Sequence, residues 1–181
     1  MIAKHSTIPT ESLLIENMEL YGYIDSYNAE PVMNGQTISL NKFVKLFMYS
    51  GPKWVDTLMA LRDKIVKVFG LKTSDRLTEN ERHPDINDLK PEQQLGIFKL
   101  FAIAENEVIL GEDDKHLNFR VSILLQPPTD NRAETRLSIT TAVKFNNLFG
   151  KLYFLPVKPF HQLIVYSAME NIVKQLEGGE K

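Results

Sequence analysis

The 181-residue chain contains no cysteine. That absence excludes disulfides, thiolate catalysis and Cys-ligated zinc or iron–sulfur centres together. Net charge is also scarce: 21 basic against 23 acidic side chains leave −2, so no overall field draws the protein to nucleic acid. Long apolar runs are missing as well. The opening Met1-Ile2-Ala3-Lys4-His5-Ser6 never develops the apolar region of a secretory signal. The most apolar late stretch, residues 148–169, is broken by Lys151, Pro156, Lys158, Pro159 and His161, whereas a spanning helix needs about 20 mostly apolar residues. No membrane span and a cytoplasmic location are therefore expected. Finally, there is no G-x-G-x-x-G segment, Walker loop, G-x-S-x-G elbow or H-x-x-x-H pair, so neither a cofactor nor a metal is expected.

What is present reads as globular. Hydrophobic residues at 43% and charged residues at 24% suit one domain over residues 1–181, able to bury roughly 70% of its unfolded surface without staples. Residues 1–18 read as an N-terminal extension. Residues 73–94 (TSDRLTENERHPDINDLKPEQQ) are polar, carry Pro84 and Pro91, and read as an insertion or loop: a partly ordered stretch, or a lid over a site.

Periodicity supplies the elements. Residues 21–27 (YGYIDSY) alternate aromatic with small or polar types and predict a strand. Ser39 caps a helix with Leu40, Phe43, Val44 and Phe47 on one face, ended by Ser50-Gly51-Pro52. A second helix follows, with Trp54, Leu58, Leu61, Ile65 and Val68 on its stripe and Gly70 as its stop. Residues 97–104 and 107–112 read as strands around a short Glu105-Asn106 turn. Leu117, Phe119, Val121, Ile123 and Leu125 then alternate with polar residues, as do Leu137, Ile139, Thr141, Val143 and Phe145. Short turns make an antiparallel meander the natural pairing. Phe160, Leu163, Ile164, Met169, Ile172, Val173 and Leu176 predict a long helix starting near Pro159, with that proline in its first turn. The pattern is α+β: a curved antiparallel sheet wrapped around a long C-terminal helix, with two short helices after the first strand.

Two segments, GEDDKHLNFRV at 111–121 and NLFGKLYFLPVKPFH at 147–161, together with the helical stretch 54–71, resemble the signatures of an uncharacterised bacterial family, domain of unknown function 2867. The resemblance covers most of the chain from about Tyr21. It implies the START-like helix-grip fold, whose members bind hydrophobic ligands in a cavity under the terminal helix. Some family members sit behind a dinucleotide-binding reductase domain; this chain carries no such segment, so redox chemistry is not implied.

Several residues can carry chemistry. Glu112, Asp113, Asp114 and His116 form the densest polar cluster, able to bind a metal or act as acid and base, to serve as a structural turn, or to pair Asp114 with a buried arginine. Arg120 lies outside the sheet if Phe119 and Val121 face the core; the opposite register would make it an anion anchor in the cavity. His161, near the start of the last helix, either faces a ligand or packs with one nitrogen on a carbonyl. Trp54 and Arg62 can flank a cavity mouth. Ligand-lining candidates are Trp54, Phe119, Val121, Ile139, Val143, Tyr153, Phe160, Ile164 and Met169.

The expected function is binding of a small hydrophobic or amphipathic molecule between sheet and helix. One alternative is a START-like enzyme (cyclase, hydrolase or aromatase-like) using Asp114, His116, Arg120 or His161. Another is an interaction module for a separate reductase partner, which predicts an exposed apolar patch outside the cavity. Self-association as a homodimer is a further expectation.

Overall fold

The computed structural model describes residues 2–33, 37–51, 89–90, 92–130 and 132–178. Seven strands form one antiparallel sheet: β1 Ile2–His5, β2 Tyr23–Ala29, β3 Gln94–Leu95, β4 Phe98–Ile103, β5 Glu107–Asp113, β6 Leu117–Gln126 and β7 Arg136–Phe145. Their order is β1-β2-β7-β6-β5-β4-β3. The last five form a meander, and β2 pairs with β7 along its whole length. Helices α1 (Leu40–Tyr49) and α2 (Leu148–Glu177) cover the inner face. The predicted helix after Pro52 lies outside the described residues.

The alternation in β6 and β7 sorts the side chains as the sequence implies. Phe119 lies opposite Val143, Val121 opposite Thr141 and Ile123 opposite Ile139. Their inner faces join Leu110, Leu137, Phe43, Val44, Met169 and Ile172 in one apolar cluster. Each such side chain, taken fully from water, contributes about 1.5–3 kcal/mol. Helix α1 begins where its cap directs: the Ser39 hydroxyl accepts a hydrogen bond from the Lys42 amide at 3.2 Å, satisfying one free first-turn donor.

Helix α2 departs from expectation. It starts at Leu148, eleven residues before Pro159, and contains Pro156 and Pro159 in its interior. Its cap is Asn147, whose Oδ1 accepts from the Gly150 amide at 3.0 Å. Each proline removes a donor that would bond the carbonyl four residues back, here Leu152 and Leu155. All four residues are exposed, so both prolines lie on the side of the helix turned away from the sheet and the packed side keeps its ladder.

Residues 2–18 are part of the sheet's architecture. Strand β1 extends the sheet beside β2. A 3-10 segment, Leu13–Leu20, lies across the outer face, where Ile8 and Leu14 pack on Ile109 and Ala142. It is pinned by a buried carboxylate. Glu107 accepts hydrogen bonds from the Ser12 hydroxyl (2.5 Å), the Leu13 amide (2.7 Å) and the Ser122 hydroxyl. A carboxylate this deep is tolerable because three donors replace its water.

Candidate functional site

Strand β2 places Tyr23, Asp25 and Tyr27 on the inner face, on every second residue. Asp25 is 1% exposed, an ionisable side chain within an otherwise apolar layer. Both of its oxygens are engaged. Oδ2 accepts from the Tyr23 hydroxyl at 2.6 Å, and Oδ1 lies 3.2 Å from His161 Nε2 on α2. Gln162 donates to the Tyr23 oxygen at 2.9 Å. The helix also lays Phe154 against the Tyr23 ring (4.8 Å between centroids) and Lys158 over it (5.1 Å).

This environment acts on the phenols. Burial, then the hydrogen bond to Asp25, push the Tyr23 hydroxyl well above the usual tyrosine range. Burial and the Asp25 charge push Tyr27 up to about 12. Both rings therefore remain neutral donors at any physiological pH. In the tautomer that carries its proton on Nε2, His161 donates to Asp25 Oδ1 and keeps Nδ1 as an acceptor. Beside Asp25 in register stands Thr141. Its hydroxyl is buried and has no hydrogen-bond partner among the described residues.

The other candidates divide into two further places. His116 is buried in the β5–β6 hairpin, with Nδ1 3.6 Å from Asp114 Oδ2, too long for a hydrogen bond. Its ring meets Tyr153 edge-on at 4.9 Å and Phe149 at 5.8 Å. This cluster seats the start of α2. Along the helix, Tyr153 and His161 are eight residues apart, about 12 Å. Arg120 faces outward, away from α2. Its guanidinium bonds Asp113 at 2.8 Å and stacks 3.6 Å above the Phe101 ring, where the β4 bulge between Leu100 and Ala102 has placed that ring. Gly111, opposite Arg120, permits a close approach of the two strands: a Cβ there would overlap the Phe119 carbonyl oxygen and stand 3.0 Å from Arg120 Cδ. Arg120 also lines an open outer cleft of about 240 Å³ with Asn17, Leu20, Tyr21, Asn118 and Lys144.

Of the expected lining residues, Val121, Ile139 and Met169 are in the main inner cluster. Val143 belongs with Leu117 and Phe154 to a smaller one, flanked by Tyr153, and Phe119 touches both. Ile164 is half-buried on α2, Phe160 is half exposed, and Trp54 and Arg62 lie outside the described residues. The sequence reading missed Asp25, although it shares the face of Tyr23 and Tyr27 by simple alternation. Among the described residues no three His, Asp or Glu side chains converge to hold a metal. No helix of these residues is long and apolar enough to cross a membrane.

The fold and this cluster define the class: an α+β domain in which one curved antiparallel sheet grips a long C-terminal helix, with a buried carboxylate paired to a half-buried histidine between the layers. The chain belongs to the family described as protein of unknown function (DUF2867), whose model matches residues 19–168. No curated protein and no solved structure matches the chain.

Proposed function

We propose that the protein binds a small hydrophobic or amphipathic molecule between the sheet and α2, with the polar end of the ligand held by Tyr23, Asp25, Thr141 and His161. The observation that carries this reading is the buried Asp25 carboxylate paired with the half-buried His161, with the unpartnered Thr141 hydroxyl beside it, in a layer that is otherwise apolar. An unsatisfied buried hydroxyl costs about 1–3 kcal/mol, which a ligand donor or acceptor would recover. Pockets with apolar walls and a few convergent polar groups are the usual form of a small-molecule site. Native mass spectrometry of the purified chain should show a bound small molecule. After its removal, the apolar dye anilinonaphthalene sulfonate should bind one-to-one, and Asp25→Asn or His161→Ala should weaken that binding about tenfold, roughly 1.4 kcal/mol. A wild-type chain without adduct, and dye binding indifferent to both substitutions, would refute the proposal.

The same pair favours a second reading, an enzyme of this fold. Asp25 orients His161 as a carboxylate orients a general base. Asp114, His116 and Arg120 would then contribute nothing to the reaction, because they lie in the hairpin and on the outer face. Turnover of a bound molecule that is abolished by His161→Ala while occupancy persists would select this reading over simple binding.

A further inference from the structure

Helix α2 is apolar on two opposite sides along its first five turns. Gly150, Phe154, Val165 and Ala168 face the sheet and are buried. On the other side Leu148, Leu152, Leu155, Leu163 and Tyr166 are 70%, 57%, 66%, 52% and 43% exposed, and Pro159 is exposed among them. At 100° per residue these six fall within a sector about 80° wide. The stripe then stops: Glu170, Lys174 and Glu177 occupy the outward positions of the last turns. A helix that is hydrophobic all round ordinarily has both faces covered, and here the described residues cover one.

We infer that this outward face is a self-association surface, on which two copies of the chain pair through antiparallel α2 helices. Two observations select a second copy as the occupant. The first is the spacing, which is nearly palindromic about residue 157. Turning the helix end for end places Leu148 against Tyr166, Leu152 against Leu163 and Leu155 against Pro159 of the second copy. An isologous two-fold contact requires such self-complementarity, because both copies use the same patch. The second is size. The stripe offers on the order of 500 Å² of apolar surface, the bulk of the roughly 800 Å² that each side of a standard interface contributes. The surface lies opposite the Asp25–His161 pair, so the inference stands independently of the ligand reading.

The charge pattern adds a signature. Residues 148–169 contain no acidic side chain, and Lys151 and Lys158 flank the stripe on one side. In an antiparallel pair like flanks meet, so rising salt should tighten the association by screening lysine repulsion. An acidic protein partner or an anionic membrane would instead be released by salt.

The absence of cysteine makes the register directly testable. The full chain should have twice the single-chain mass of 20.7 kDa by light scattering, and Leu155→Glu should return it to one chain with an unchanged far-ultraviolet spectrum. Leu148→Cys mixed with Tyr166→Cys should form a disulfide-linked pair on mild oxidation. Leu148→Cys alone should not, since its two copies would stand about 27 Å apart and a disulfide needs Cα atoms within about 7 Å. Any of four results would overturn the inference: a single-chain mass at every concentration, efficient cross-linking of Leu148→Cys to itself, a monomer that sediments with phosphatidylserine vesicles, or a salt-sensitive complex formed only with a different protein.

Discussion

Replacing Gly150 by alanine sets two effects of opposite sign against each other. By helix propensity alone the change should stabilise α2, by at most about 1 kcal/mol. The packing says otherwise. A Cβ at Gly150 would overlap the His116 carbonyl oxygen, with the His116 carbonyl carbon 2.9 Å away and Leu117 Cβ 3.6 Å away. The obstructing atoms are backbone, so no rotamer change relieves the overlap, and the first turn of α2 must lift from the hairpin. That motion strains the bonds that tie the two together: Asn146 amide to His116 carbonyl at 3.0 Å, Asn146 Nδ2 to Asp114 carbonyl at 2.8 Å and Asn147 Nδ2 to Lys115 carbonyl at 3.0 Å. Each contributes about 0.5–1.5 kcal/mol net, and overpacking typically costs about 1–3 kcal/mol by itself. After subtracting the propensity gain, Gly150→Ala should destabilise the protein by about 2–3 kcal/mol. For a chain of this size that lowers Tm by roughly 4–12 °C, measurable by calorimetry or by urea titration. Gly51→Ala is the control: nothing lies within 4 Å of a Cβ there, so its effect should stay within about 0.5 kcal/mol. If Gly150→Ala melted at or above the wild-type temperature, the claim that glycine seats the helix on the hairpin would be wrong.

Glu107→Ala should cost about 3 kcal/mol, because it strands the Ser12 and Ser122 hydroxyls and the Leu13 amide in a buried site. Hydrogen exchange should then accelerate first in Leu13–Leu20, and uniform acceleration across the sheet would contradict the role of Glu107 as the pin of that segment. At alkaline pH the tyrosines govern stability. A folded pKa raised above the unfolded value of 10 means the stabilising contribution is whole below pH 10 and is lost as pH rises. For Tyr27 the loss falls between pH 10 and about 12, so melting temperatures should decline over that window and Tyr27→Phe should reduce the slope; an unchanged slope would refute this assignment.

Much of the layer that positions the site was legible along the chain. The two-residue period of Leu117 to Leu125 and of Leu137 to Phe145 identified the inward faces of β6 and β7, since side chains alternate across any strand. Ser39 marked the start of α1 for an equally local reason. The start of α2 was not legible in the same way. Pro156 and Pro159 read as a barrier because proline lacks an amide, and whether that matters depends on which side of the helix meets water.

Local stereochemistry therefore determined, from sequence alone, strands β2 and β4 to β7, the capped helix and the α+β class, and composition excluded cysteine chemistry; β1, which reads as an extension, and the two-residue β3 were not legible. Tertiary structure decided the rest. Asp25 and His161 are 136 residues apart, and Ser12 and Glu107 are 95 apart. No periodicity within either partner's own segment encodes such a meeting. It arises from strand register and from the azimuth at which α2 crosses the sheet. The same register sends Arg120 to the outer face, because a strand's two faces are exchanged by a shift of one residue.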